Sequence, residues 1–119
     1  MIFIGNDIVE VSRIDSLIKE YGQHFLNKNF SVNEIRIVDQ KKTKSIHFSG
    51  KFSAKEASKK ALMSAGIHNI YFKDIEVLNK KNGAPYIKID KINSDFIKNI
   101  QVSISHTNSY ATAFVVLEL

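Results

Sequence analysis

The chain contains no cysteine, which excludes disulfides and thiolate metal sites and fits a reducing cytoplasm. It has no apolar run near the ~20 residues that a membrane helix needs, so no membrane partner is expected. A secretory signal is not expected either: the first residues lack a basic lead, and Asp7 and Glu10 interrupt their apolar stretch. The four histidines stand at 24, 47, 68 and 106, without the spacing of a zinc site. Ser103 and Ser105 lie outside any Gly-x-Ser-x-Gly elbow, which removes hydrolase chemistry for them. Repeats, low-complexity tracts and internal boundaries are missing, and the 119 residues read as one domain, 1–119. Arginine is scarce, with only Arg13 and Arg36 against many lysines.

What is present is an ordinary globular composition, 44% hydrophobic and 24% charged, with a net charge of +5. That charge suits an acidic partner, which can be nucleic acid, a phosphorylated small molecule or an acidic protein. The arginine-and-aromatic stripe of many nucleic-acid binders is missing, so no nucleic-acid partner is expected.

The chain is organised around a proline-free segment from about Thr43 to Ala65, closed by Gly66. At about 100° per residue, Gly50, Ala54, Ala57, Ala61 and Ala65 share one side, flat enough for close packing. Phe48, Phe52, Lys55, Glu56, Lys59 and Lys60 fall on the other. Glu56 there reads two ways: a partner of Lys59 or Lys60 on a solvated face, or a metal ligand among phosphate-binding lysines.

The other elements follow in order. Residues 2–10 read as a strand with Phe3, Gly5, Asp7 and Val9 on one face. Asp7 is either a strand-end cap or a carboxylate among apolar neighbours that needs a partner. Ser12 with Asp15 predicts a capped helix over Arg13–Tyr21, ended by Gly22; Ser31 with Glu34 predicts another through about Gln40. Residues 71–78 read as a strand, 79–83 as a turn, and Pro85 opens a strand to Ile89. Residues 93–99 read as a short helical crossover, and 101–106 with 110–117 as a hairpin. His106, at a strand end, is either satisfied by nearby backbone or available as a base or phosphate donor. The fold class predicted is α+β, an antiparallel sheet packed on the long central helix.

Five segments together carry a resemblance: Gly5–Ile14 (GNDIVEVSRI), Lys51–Ala61 (KFSAKEASKKA), Asp74–Val77 (DIEV), Asn82–Pro85 (NGAP) and Ser103–Thr107 (SISHT). In that order and spacing, across the whole chain, the sequence resembles the holo-[acyl-carrier-protein] synthase family, the short bacterial type of 4′-phosphopantetheinyl transferase. It departs in Lys51, where the family usually has arginine, in Ser53 for alanine, and in Leu62-Met63 where a helix-ending glycine is usual.

The resemblance implies transfer of 4′-phosphopantetheine from coenzyme A to a serine of an acidic apo-acyl carrier protein, releasing adenosine 3′,5′-bisphosphate, for fatty acid biosynthesis. It implies that Asp7 and Glu56 hold Mg2+, and that Glu56 or a metal-bound water takes the serine proton. It makes Lys60 catalytic. It assigns coenzyme A to Lys51, Lys55, Lys60, Asn82, Gly83, Pro85, His106 and Thr107, and the carrier protein to Arg13. Lys59 is left as a solvent-facing neighbour. A cytoplasmic homotrimer with sites between subunits is implied as well. Two other readings stand beside it: a basic domain binding RNA, and the same fold serving another carrier, such as a peptidyl carrier domain.

Overall fold

Alternation sets the first element. In β1 (Ile2–Glu10) the odd residues turn inward, with Gly5 and Val9 buried, and the even residues turn out. The computed structural model describes residues 1–93 and 95–119. β1 pairs antiparallel with β5 (Tyr110–Glu118), which pairs on its other side with β4 (Asn99–His106). The strand order is β1-β5-β4, so β5 is the centre and β1 and β4 are the edges. Thr107 closes the expected hairpin by accepting at Oγ1 from the Ser109 and Tyr110 amides.

Across the inner face of this sheet lies α4 (Lys44–Ser64), the long helix expected from 43–65. Its small-residue side is the contact: Ala54, Ala57 and Ala61 are fully buried. A Cβ added at Gly5 would overlap the Ala57 carbonyl and come within 2.9 Å of the Ala61 nitrogen. Helix backbone therefore rests directly on strand backbone, which only glycine at position 5 permits.

The opposite side of α4 is not free. α1 (Val11–Tyr21), α2 (Gln23–Asn29) and α3 (Val32–Asp39) wrap it. Phe48 is buried against Phe30, and the Phe52 ring packs between those of Phe25 and Phe72. A second sheet, β2 (Glu76–Asn79) with β3 (Pro85–Lys88), forms a hairpin over the 79–83 turn. Gly83 takes φ +91°, a conformation costly for other residues.

The Ser31 capping box forms as expected: Ser31 Oγ accepts from the Glu34 amide, and Glu34 accepts from the Ser31 amide. The Ser12 box does not. α1 begins at Val11 with Glu10 at its cap and no capping side chain, because Asp15 is taken by Lys19 and by the Ser45 hydroxyl. α2 was not foreseen; its seven residues offer little periodicity. The strand expected from 71 starts only at Glu76, because Phe72–Asp74 form a 3₁₀ turn closed by the Asp74 carboxylate on the Tyr71 amide. The helical crossover expected over 93–99 includes Ser94, outside the described residues; residues 95 and 96 form a turn, and Asn99 already belongs to β4.

Candidate active site

The close packing at Gly5 brings α4 side chains onto the end of the GND segment. Ser53 Oγ donates to the Asp7 carbonyl at 3.1 Å. Lys60 Nζ donates to the Asn6 carbonyl at 3.0 Å and lies 3.5 Å from Asp7 Oδ1. Glu56 follows Ser53 by three residues and precedes Lys60 by four, so it stands between them on one helix ridge. Asp7 and Glu56 thus come from two elements locked together by backbone contact. Among the described residues Glu56 makes no ion pair, so the surface-pair reading of it does not hold.

Two carboxylates with a lysine at the margin suit magnesium, which takes one or two carboxylates and completes its shell with water and phosphate oxygens. The half-buried Asp7 side chain, 13% exposed, keeps an oxygen edge open beside the more exposed Lys60. No group of three or more metal-ligating residues occurs among the described residues, so a closed, all-protein metal cage is not what is built.

Over the other side of α4 lies a cleft of about 460 Å³. Of the residues expected to meet coenzyme A, His106, Lys51, Gly83 and Pro85 line it, while Asn82, whose Oδ1 accepts from the Ala84 amide, and Thr107, held in the β4–β5 turn, do not. Lys41, His47, Lys80 and Lys81 line it too, and no acid does. Sequence reading missed these four, although His47 precedes Lys51 by one helical turn and Lys80 and Lys81 lie in the turn already recognised. The His47 and His106 rings are 6.3 Å apart. Partial burial, reinforced by Lys41, His106 and Lys51, holds His47 below the usual histidine range. A cleft of this size and sign, mixing cations with aliphatic walls, accommodates a nucleotide with several phosphates.

Three lysines differ from expectation. Lys55 is 0% exposed: its ammonium is 2.7 Å from Glu34 Oε1 and donates to the Phe72 and Ile75 carbonyls. All three of its protons are used inside the fold, so Lys55 does not reach a ligand and is removed from the phosphate contacts. Glu34, in turn, accepts from the Val77 amide with its other oxygen. The pair fastens α3 and β2 to α4, a role that only long-range contacts could reveal. Lys51 Nζ donates to the Val77 carbonyl at 2.6 Å and lies 3.4 Å from Asn79 Oδ1, which leaves one proton for the cleft. Burial pulls its pKa from 10.5 to about 8. Lys59 is also not purely solvent-facing, since its ammonium lies over the Phe72 ring.

Arg13 is exposed on the first turn of α1, in a recess shared with Ile8 and Tyr110. It opens onto the outer face of the sheet, where Ile2, Ile4, Ile8, Tyr110 and Phe114 are exposed together. The two acids and the basic cleft are not gathered in one place: Asp7 lies on one edge strand and His106 ends the other.

Comparison with known proteins bears on the family and the fold. Residues 3–115 match the family model of the 4′-phosphopantetheinyl transferase superfamily. A holo-[acyl-carrier-protein] synthase of Protochlamydia amoebophila is 44% identical over 115 residues, covering 95% of this chain and 94% of the relative. One of Halothermothrix orenii is 42% identical over 120 residues, with 97% and 95% covered. The crystal structure of the Helicobacter pylori synthase in complex with coenzyme A superposes with a TM-score of 0.84 at 36% identity, covering 97% of this chain and 99% of that one. The Neisseria meningitidis synthase gives 0.87 at 28% identity, with both chains fully covered.

Proposed function

Because this chain belongs to the 4′-phosphopantetheinyl transferase superfamily, we propose a residue-level account of how it performs the synthase reaction of its relatives. The chain, as a single catalytic domain over 1–119, transfers 4′-phosphopantetheine from coenzyme A to a serine of an apo-acyl carrier protein and releases adenosine 3′,5′-bisphosphate. The serine hydroxyl attacks the pantetheine-side phosphorus, the pyrophosphate P–O bond breaks, and the hydroxyl proton goes to a base.

The observation that carries the assignment of roles is that Glu56 rides the same helix ridge as Ser53 and Lys60, both of which bond to the Asn6–Asp7 segment. Asp7 and Glu56 hold Mg2+, which supplies charge neutralisation on the pyrophosphate when bound. Glu56 is the side chain placed to accept the serine proton. Lys60, already at Asp7, steadies the charge that develops on the leaving phosphate. In the basic cleft, His106 and Lys51 contact the nucleotide-side phosphates, with Thr107 next to His106 in sequence as a further contact, and the Asn82–Pro85 turn seats the adenine through backbone groups. Lys41, His47, Lys80 and Lys81 add to the same positive field.

The enzyme works in the cytoplasm as a homotrimer, with each site made between neighbours. The separation of acids and basic cleft over opposite edges of one sheet supports this, since one chain's acids can then face another chain's cleft. Arg13 takes an acidic residue of the carrier, and the +5 charge favours encounter with such a partner.

Mass spectrometry of an apo-acyl carrier protein incubated with coenzyme A tests the account. One phosphopantetheine is expected on the carrier with magnesium present and none without it. Asp7→Ala and Glu56→Ala are each expected to lower the rate by at least about 100-fold while circular dichroism and the melting temperature stay near those of the parent. Full activity in either variant would remove the metal assignment.

A further inference from the structure

The turn that seats the nucleotide is held by little of its own. Lys80 N–H donates to the Ala84 carbonyl and Gly83 N–H to the Lys80 carbonyl, each at 2.9 Å, and both bonds stay inside the turn. Nothing packs over Gly83, where an added Cβ would meet no atom within 4 Å. Lys80, Lys81, Asn82 and Gly83 are all exposed. A loop of this kind samples several arrangements unless something outside it selects one.

That selection passes through Asn79. As the last residue of β2 it faces Pro85, the first of β3, and so closes the hairpin. Its Nδ2 donates to the Gly83 carbonyl at 3.0 Å, while its Oδ1 faces Lys51 Nζ at 3.4 Å. Lys51 is anchored in turn by its 2.6 Å bond to the Val77 carbonyl and by its place on α4. Among the described residues, the hydrogen bonds that tie the turn to the helix run through this carboxamide. Only a side chain with both a donor and an acceptor can do this, and the sequence reading has Asn79 only as the first residue of the 79–83 turn, with no site role.

We infer that Asn79 is a positioning residue: it couples the nucleotide-seating turn to the central helix through Lys51, and so sets affinity for coenzyme A without taking part in the chemistry. The inference rests on the coenzyme A reading of the cleft. Before ligand arrives, the brace has already fixed the Gly83 carbonyl and the direction of the turn, so less ordering remains to be done on binding. It also gives Lys51 a task besides adding charge to the cleft. A buried lysine aims one short, rotatable ammonium at the strand carbonyl and the Asn79 oxygen.

The test compares the parent with Asn79→Leu, which removes both bonds at similar volume, and with Asn79→Ala. Three readouts are taken: binding of coenzyme A and of adenosine 3′,5′-bisphosphate by calorimetry, transfer kinetics, and amide hydrogen exchange of residues 80–84 in the free protein. The expected result is a five- to tenfold rise in both Kd and KM for coenzyme A, roughly the net worth of one hydrogen bond. kcat at saturating coenzyme A stays within about twofold, and exchange in the turn accelerates. Unchanged affinity in a folded variant overturns the inference, as does a fall in kcat at constant KM. Should Asn79→Leu not fold, Asn79→Ala carries the same comparison. If the parent itself binds no coenzyme A, the functional reading falls, while the exchange data still decide whether Asn79 orders the turn.

Discussion

Lysines 51 and 55 stand one helical turn apart, and burial treats them differently. Lys55 meets a carboxylate and is locked; Lys51 meets only neutral oxygens and keeps a strained charge. With its pKa drawn down to about 8, Lys51 stays protonated in the unfolded chain up to about 10.5 but loses its proton earlier when folded. The folded state therefore regains stability as pH rises from about 8 toward 10.5, and loses that contribution as pH falls through 8. The swing is of order 3 kcal/mol at most. Ligand attraction runs the other way: above pH 8 one positive charge leaves a cleft that also holds Lys41, Lys80, Lys81, His47 and His106. Calorimetry from pH 7 to 9.5 should show coenzyme A affinity weakening through about 8, and Lys51→Arg should remove that inflection because arginine does not titrate there. An inflection that persists in Lys51→Arg would assign it to another group. At this scale the sequence was a partial guide. Spacing read Asp7 on a strand, Glu56 and Lys60 on the central helix and His106 at a strand end, where they are found, but it also grouped Lys55 with Glu56 and Lys60. Helical periodicity says which residues share a side; it does not say that Glu34, twenty-one positions earlier, turns back to occupy that ammonium.

Among elements, the contact between β1 and α4 decides most. The row of small residues on α4 was legible from periodicity alone, and so was the glycine before Asp7; that the two meet backbone to backbone was not. Gly5→Ala forces the helix off the strand, since the atoms in the way are the Ala57 and Ala61 main chain and cannot swing aside. A loss of about 3 kcal/mol or more is expected in urea unfolding, with transfer lost as well because Asp7 shifts relative to Glu56. A stable, active Gly5→Ala protein would show that this contact is looser than described. The elements that sequence reading misplaced are those whose ends are fixed from outside. Asp15 cannot join a box with Ser12 while Ser45 and Lys19 hold it, and the Asp74 carboxylate turns 72–74 into a 3₁₀ turn where alternation read a strand.

For the whole molecule, the outer face of the three-stranded sheet is an apolar surface left uncovered in the single chain. Ile8 is 63% exposed and Phe114 47%, on strands that also present Ile2, Ile4 and Tyr110. A recess of about 620 Å³ there runs from Phe114 and Ser103 to Asp7 and Lys60, so a neighbour seated on it would border the acids. If the active form is a trimer with shared sites, Ile8→Asp or Phe114→Asp should sediment as a monomer and lose transfer together. A monomeric variant with full activity would leave each chain sufficient on its own. The α+β architecture was readable from the pattern of segments; an assembly is written only in which apolar residues stay uncovered after folding.

The position of β5 has a consequence for how the sheet comes into being. β1 and β4 each have β5 as their partner, and β1 meets it from the opposite end of the sequence. Neither edge strand can close a ladder until β5 joins, and the flat bed on which α4 rests is incomplete until then. The helices around Phe25, Phe30 and Phe48 draw, apart from Ala111 of β5, on nearer neighbours and can gather first. Long-range pairing of this kind carries a high loop-closure entropy and slows folding. The contact of β1 with α4 that carries Asp7 and Glu56 thus gains its backing strand only when the middle of the sheet arrives.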